Sequence, residues 1–282
     1  MSRFRTARLT RLISLSLLAL ALAACNRGND IPAPAQTPSG IPPVATQAMP
    51  AATSVPLQDV FETNQRYIIG ISYPPAAAKY PGLAAELKKY ADSARAELMQ
   101  AVSGLGNDKP ASPYDLSLRF NQVLETPQLV AIAADGSSYT GGAHGTPLIA
   151  RFVWLPKQNS LLQAQQLVPQ ATGWKTISDY VREQLHGALS QRIDADEMPP
   201  GERAEMIKSA GKMIDEGSEA DAGNFAQFEP MAGAGGKLKG LRFVFPPYQV
   251  GPYADGTQTV DVPAEVLLPH VAPAYRGLFV GG

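Results

Sequence analysis

Apolar residues recur with two different spacings between residues 60 and 270, and these spacings predict helices and strands. From Leu83 to Val102 they step by three and four residues, which is typical of an amphipathic helix. From Tyr114 to Phe120 they alternate with polar residues, which is typical of a half-buried strand. Further strands are expected over 67–73, 128–134, 149–154, 241–245 and 259–262, and further helices over 173–191, 202–216 and 264–268.

The order of these elements indicates the fold class. Strands and helices follow one another without regular strand–helix–strand alternation, so we expect an α+β fold with antiparallel or mixed sheets and packed helices. Two segments that contain glycine are expected to interrupt the pattern. Asp135-Gly136 is predicted to form a turn between paired strands, and residues 231–240 are predicted to form a loop.

The N-terminal segment has the pattern of a secretion signal. Four arginines precede an apolar run from Leu12 to Ala24, and this run of about 13 residues is short of the ~20 that span a bilayer. The run ends in Leu22-Ala23-Ala24-Cys25, which resembles the lipobox of bacterial lipoproteins. The resemblance implies a signal peptide over 1–24 and a lipid on Cys25, through which the protein contacts a membrane. An ordinary secreted protein is the alternative.

Residues 25–56 are expected to form a disordered tether behind this anchor. Seven prolines recur in the segment among alanine, serine, threonine and glycine, without apolar periodicity. By the sorting rule of Gram-negative lipoproteins, Asn26 after the lipidated cysteine favours the outer membrane. We therefore expect a lipid-anchored protein of the bacterial cell envelope that faces the periplasm.

The charge of the predicted mature protein limits its partners. Residues 25–282 contain 20 Lys and Arg against 25 Asp and Glu, a formal net charge of −5. This mildly acidic balance argues against a nucleic acid and suits a cationic protein partner. Cys25 is the only cysteine, so lipidation leaves no disulfide and the fold must depend on its hydrophobic core.

The segment from Tyr139 to Gly145, Tyr-Thr-Gly-Gly-Ala-His-Gly, is the most unusual local sequence. Its glycines Gly141, Gly142 and Gly145 imply positive φ or the close approach of another backbone. A histidine in such a turn can satisfy neighbouring backbone groups, recognise a ligand or act in catalysis. The candidate ligand-binding residues in this segment are Tyr139, Thr140, Gly141, Gly142, His144 and Gly145.

A second distinctive block runs from Phe243 to Gly256 and contains Pro246-Pro247-Tyr248 and Tyr253-Ala254-Asp255-Gly256. Prolines remove backbone donors and stiffen the crossing chain, while tyrosines supply apolar area and a hydroxyl. A stiff connection with core tyrosines is one interpretation. The other is that Tyr248 and Tyr253 line a binding surface, since exposed tyrosines anchor many interfaces.

Metal and cofactor sites are not indicated by the sequence. The three histidines, His144, His186 and His270, have no local pair spacing, and a zinc site needs three or four ligands. No nucleophile elbow, phosphate-binding loop or dinucleotide fingerprint follows a predicted strand. We therefore expect no metal, no cofactor and no catalytic residues.

The two distinctive blocks, with the strand before Pro74, resemble the RsiV-like extracytoplasmic domain family, whose first half also occurs at the N-terminus of the deacetylase PdaC. The resemblance implies an α+β fold of two closely joined subdomains, which we place over 57–140 and 141–282. RsiV binds lysozyme directly through this region. The resemblance therefore implies a non-enzymatic module that binds lysozyme-like muramidases or peptidoglycan.

Other parts of those relatives are not expected here. We predict neither the spanning helix and sigma-factor-binding segment of RsiV nor the deacetylase domain of PdaC, so anti-sigma activity and deacetylation are not carried over. Two alternatives remain open. One is an envelope hydrolase or transferase that uses His144 with Asp135 or Asp255, and the other is a structural envelope component.

Overall fold

The helices and strands form two groups along the chain, one on each side of residue 162. The computed structural model describes residues 57–195 and 198–282, and all of them belong to one compact unit. The predicted signal peptide, the tether and Cys25 lie outside the described residues. Among the described residues, no helix has the length and apolar character needed to cross a bilayer.

The first group is a six-stranded mixed sheet whose strands lie in sequence order. Its strands are β1 (Val60–Thr63), β2 (Tyr67–Ser72), β3 (Tyr114–Glu125), β4 (Val130–Tyr139), β5 (Thr146–Leu155) and β6 (Ser160–Leu161). Helix α1 (Pro81–Gly104) connects β2 to β3, which are parallel, and all other neighbours are antiparallel. A parallel pair requires such a crossover, which is why the helix lies between these two strands.

One face of this sheet packs on α1. Leucines three and four positions apart on the helix, such as Leu83 and Leu87, are fully buried against alternating strand residues such as Leu116 and Leu118. Pro81 begins the helix at a position where its missing N–H costs nothing. The predicted helix over 83–104 and the strand at 114–120 are therefore both present.

The second group is a three-stranded antiparallel sheet with helices. Its elements are α2 (Ala164–Leu167), α3 (Ala171–Ala195), α4 (Pro200–Gly217), β7 (Phe228–Ala232), β8 (Leu238–Phe245), β9 (Gln258–Pro263), α5 (Ala264–Leu267) and α6 (Pro273–Arg276). An aromatic cluster forms the centre of its core, where Trp174 stacks on Phe225 at 5.3 Å and Phe225 meets Phe243 edge-on at 5.2 Å. The α+β prediction is confirmed.

The two groups share the first sheet as a common layer. Val130, Ile132 and Ala134 on β4 face the α1 core, whereas Leu129 and Ala131 belong to the core of the second group. This end of β4 is therefore buried on both faces, which explains its continuous apolar sequence. The predicted division at residues 140 and 141 falls in the β4–β5 connection, and the first sheet continues beyond it to Leu161.

The predicted turn at Asp135-Gly136 is wrong. Strand β4 runs through both residues, and Gly136 pairs with Leu118 on one side and Leu148 on the other. A side chain at Gly136 would overlap the backbone of Ser117, so this glycine permits close strand approach instead of a turn. The turn lies further on, at residues 140–145.

The predicted loop over 231–240 is shorter than expected. Met231 pairs with Gly240 across β7 and β8, so the connection is reduced to residues 233–237. The sequence pattern did not reveal β7 because Pro230 lies in its middle. Proline is tolerated there because β7 pairs only with β8 and is an edge of its sheet.

Candidate functional site

The β4–β5 turn carries six of the predicted site residues. Gly141 and Gly142 have φ values of +101° and +97°, a region that side chains disfavour. The Tyr139 hydroxyl donates to the Gly142 carbonyl at 3.2 Å and braces the turn, while Thr140 and His144 are exposed. At Gly145 a Cβ would lie 3.3 Å from the Ser138 carbonyl oxygen. The two predicted reasons for glycine, positive φ and the close approach of another backbone, therefore both occur in this turn.

The loop between β8 and β9 carries the other two predicted residues. Tyr248 has a φ of +74°, and its side chain is 54% exposed. Holding a non-glycine residue in this region costs on the order of 1–3 kcal/mol, and such strain concentrates at functional sites. The backbone N–H of Tyr248 donates to the Gly251 carbonyl at 3.0 Å, which fixes the turn.

Three contacts attach this loop to the second group. The Gln249 side-chain amide donates to the carbonyls of Gly217 and Asn224, at 2.9 and 2.8 Å. Val250 is buried in the core of the second group. The Asp255 carboxylate pairs with Arg192 of α3 at 2.8 Å. The loop is therefore held against the ends of α3 and α4 while its tyrosines point away.

His144, Tyr248 and Tyr253 meet in a cluster that we call the aromatic triad. The His144 ring stacks on Tyr253 with centroids 3.9 Å apart and planes inclined by 17°. The Tyr248 ring lies 6.0 Å from His144 and 5.6 Å from Tyr253, tilted to both. The structure thus brings together two blocks that the sequence analysis treated separately.

Hydrogen bonds define the state of the His144 ring. Its Nδ1 lies 3.1 Å from the Gly145 carbonyl oxygen, which can only accept. Nδ1 must therefore carry a hydrogen, and in the neutral ring Nε2 accepts from the Tyr248 hydroxyl at 2.9 Å. Both nitrogens have partners, so the imidazole is fixed in position and tautomer.

The acids that the hydrolase hypothesis pairs with His144 are bound elsewhere. Asp135 pairs with Arg151 at 2.9 Å, and Asp255 pairs with Arg192. Neither carboxylate contacts His144, whose nitrogens face a carbonyl and a phenol. The acid–imidazole pair that would orient a general base is not formed in this arrangement. Within residues 57–195 and 198–282, no group of three or more potential ligands could hold a metal ion.

Arg151 fixes the first sheet to the second. Its side chain is only 7% exposed, and it contacts Asp135 on β4 and Glu229 on β7, the latter with Nε 2.5 Å from Oε1. The N–H at Nε is not aligned with that oxygen, so the contact is an ion pair and not a well-formed hydrogen bond. The Arg151 backbone N–H also donates to the Gln227 side chain at 2.7 Å.

Two family models match the chain. A model for the deacetylase PdaC matches residues 61–146, and a model for a protein family of unknown function, DUF3298, matches residues 167–265. The chain therefore contains a PdaC-type region followed by a DUF3298-type region. This confirms the resemblance to the RsiV-like family. PdaC is named as a deacetylase, and DUF3298 has no assigned function. The two matches therefore do not identify a ligand or a reaction, and these must be inferred from the site.

Solved structures provide distant relatives of the domain pair. A DUF3298 family member from Bacteroides fragilis is 18% identical, with a TM-score of 0.46 over 80% of this chain and 96% of that chain. A DUF3298 family protein from Pseudomonas aeruginosa is 17% identical, with a TM-score of 0.49 over 81% of this chain and 99% of that one. A search of curated proteins found no match. The family assignment therefore rests on the two matched family models.

Sequence reasoning missed the residues that hold the site together. Gln249 lies inside the second distinctive block but was not singled out, and its partners Asn224 and Gly217 are 25 and 32 positions away. Arg151 carries no motif, and its partner Glu229 is 78 positions away. The one available signal was an arginine inside the apolar strand 149–154, a position where charge is costly unless paired.

Proposed function

We propose that this chain is a non-enzymatic binding module of the bacterial cell envelope, and that its aromatic triad binds a lysozyme-like muramidase or the peptidoglycan that such enzymes cleave. The observation that carries the proposal is the exposed, strained Tyr248 held in contact with His144. The matches to the PdaC and DUF3298 family models support it.

The geometry of the aromatic triad suits a binding surface. Tyrosines contribute large contact areas with few rotatable bonds, and they are enriched among residues that dominate binding energy. Here the loop contacts and the ring stacking fix the rings before any partner arrives. Such preorganisation reduces the entropy lost on binding.

The charge of the predicted mature protein supports a cationic protein partner. Its formal net charge of −5 would attract a basic muramidase and raise the association rate at low salt. Screening by salt shortens the range of this attraction to about 8 Å at physiological ionic strength. Binding to a muramidase should therefore weaken as salt is added, mainly through slower association.

The placement of the module is part of the same proposal. A lipid on Cys25 and a tether over residues 25–56 would hold the domain pair in the envelope, at the outer membrane facing the periplasm. Several acyl chains on one cysteine would suffice, because each buried methylene contributes about 0.8 kcal/mol. Metabolic labelling with a fatty acid should mark the protein, and Cys25→Ala should abolish the label.

A binding experiment tests the proposed function. The full chain in detergent is passed over an immobilised lysozyme-type muramidase and, separately, mixed with insoluble peptidoglycan. We expect retention by one of the two, and Tyr248→Ala should reduce it at least about tenfold. Ile207→Ala, which truncates another exposed apolar side chain on α4, is the matched control and should bind normally. Retention by neither material, or equal retention of Tyr248→Ala, contradicts the proposal.

A further inference from the structure

The first sheet has a groove on the side that faces away from α1. The groove has a volume of about 290 Å³ and lies over β1, β2 and β3. The second group covers this face around the ends of β3, β4 and β5, where Leu129, Ala131 and Val153 join its core and Leu124 packs against it. The groove is therefore open to solvent.

Small residues form the floor of the groove. Register places Phe61 beside Gly70, Gly70 beside Ser117 and Ser117 beside Ser137, in one row across four strands. A Cβ added at Gly70 would meet nothing within 4 Å, and the φ of Gly70 is not positive. Neither the backbone nor packing requires glycine at this position, so the depression above it is not a by-product of tight packing.

An aromatic ring stands at the outer end of this row. The Phe61 side chain is 78% exposed, the largest exposure among the bulky apolar residues in the described part of the chain. It lies on β1, an edge strand, beside the empty space over Gly70. The ring therefore offers an apolar platform next to a depression.

Polar groups with unused bonding capacity line the same groove. Asp135 is the cross-strand neighbour of Arg119 but pairs with Arg151, so the Arg119 guanidinium makes no ion pair or hydrogen bond with the described residues. Asp59 accepts one bond from the Tyr73 N–H through Oδ1, at 2.9 Å. The groove thus contains the N–H donors of the Arg119 guanidinium, the Asp59 carboxylate as an acceptor and the Ser117 hydroxyl, together with the Phe61 ring.

We propose that this groove binds a glycan strand, with one sugar ring on Phe61 and sugar hydroxyls on Asp59, Ser117 and Arg119. A sugar ring has an apolar C–H face and an edge of hydroxyls that both donate and accept hydrogen bonds. A carboxylate and a guanidinium that line one groove satisfy both roles, and an exposed aromatic ring matches the apolar face. This site is separate from the aromatic triad, and neither proposal depends on the other.

Gly70→Leu tests the groove without removing any contact of the fold. Its side chain should fill the floor, and a larger residue on this strand should leave thermal stability unchanged or higher. The probes are the N-acetylglucosamine hexasaccharide, followed by calorimetric titration, and insoluble peptidoglycan. Wild type should bind the hexasaccharide, and both Gly70→Leu and Phe61→Ala should weaken it at least about tenfold. Ile207→Ala should bind as wild type does.

The outcomes separate this groove from the aromatic triad. Absence of binding to both probes, or equal binding by Gly70→Leu with an unaltered melting temperature, overturns the glycan site. If Tyr248→Ala loses hexasaccharide binding and Gly70→Leu does not, the glycan binds at the aromatic triad. That result would also overturn the glycan site in the groove. Muramidase retention should be unaffected by Gly70→Leu, so failure of one proposal leaves the other standing.

Discussion

The aromatic triad and the groove over Gly70 both include residues of the first group, but they are held in different ways. Residues from both groups of elements form the aromatic triad, and its polar atoms bond one another. The groove belongs to three strands of one sheet, and its polar atoms largely face solvent. The first surface therefore depends on the joint between the groups, whereas the second depends only on strand pairing.

This difference predicts how each surface responds to damage. Arg151 connects the groups and Gln249 holds the loop that carries Tyr248, so both should matter for the aromatic triad and not for the groove. Glycines should behave in opposite ways, because those in the β4–β5 turn have positive φ and Gly70 does not. The following variants test these expectations, beginning with the largest effect.

Arg151→Ala should cause the largest loss of stability. It removes the ion pair with Glu229, whose side chain is 17% exposed, and the loss of one partner of such a buried pair costs about 3–5 kcal/mol. Urea unfolding measures the change, and Arg203→Ala serves as the control because its ion pair with Asp194 is solvent-exposed. If Arg151→Ala costs no more than this control, the joint does not depend on Arg151.

Gln249→Ala should lower the free energy of unfolding by about 1–3 kcal/mol. The variant removes the donor shared by the Gly217 and Asn224 carbonyls and frees the loop that carries Tyr248. Gln165→Ala, which loses one longer bond of 3.4 Å on the surface, is the matched control. Muramidase binding should fall with Gln249→Ala while hexasaccharide binding stays. A fall in both would show that the surfaces are not independent.

Two glycine substitutions compare the surfaces directly. Gly141→Ala forces a side chain into φ +101° and should destabilise the protein by about 1–2 kcal/mol. Gly70→Ala enters open space with ordinary strand geometry and should be neutral or stabilising. Thermal melting of the pair is sufficient, and equal shifts for the two variants would contradict the backbone assignment.

Asp261→Asn should have the smallest effect and should depend on pH. The hydrogen bond from Arg242 holds the pKa of the Asp261 carboxyl below its usual range. The pair therefore stabilises the fold above the ordinary carboxyl pKa of about 3.9 and loses its effect as pH falls through the lowered value. Because both side chains are exposed, the difference from wild type at pH 7 should stay under about 1 kcal/mol. A difference from wild type that is the same at pH 2 as at pH 7 would refute this assignment.

Local pattern was enough for long elements such as α1 and β3. The stepped leucines of α1 and the alternation in β3 identify their own secondary structure, because each element buries one face. The turn at Asp135-Gly136 was predicted wrongly because glycine serves both in turns and where two strands approach closely. The sequence alone does not distinguish these two roles. Strand β7 was missed because Pro230 suggests the end of a strand. Proline is compatible with an edge strand, but the sequence does not show which strand lies at the edge of a sheet.

The candidate site was only half predictable for a related reason. His144 and Tyr248 stand out within their own segments, but they are 104 positions apart, and no local pattern encodes their contact. Phe61 and Arg119 form the groove with Gly70 through strand register, which a single sequence does not specify for a parallel pair joined by a helix. Tertiary pairing, and not residue type, creates both surfaces.

The central claim is that the aromatic triad is a binding surface, and the affinity of Tyr248 variants for a lysozyme-type muramidase tests it most directly. Tyr248→Phe keeps the ring and removes the bond to His144, whereas Tyr248→Ala removes both. We expect Tyr248→Ala to raise Kd at least about tenfold, about 1.4 kcal/mol, and Tyr248→Phe to raise it less, with unfolding free energies that do not track the affinities. An unchanged Kd for Tyr248→Ala would contradict the account.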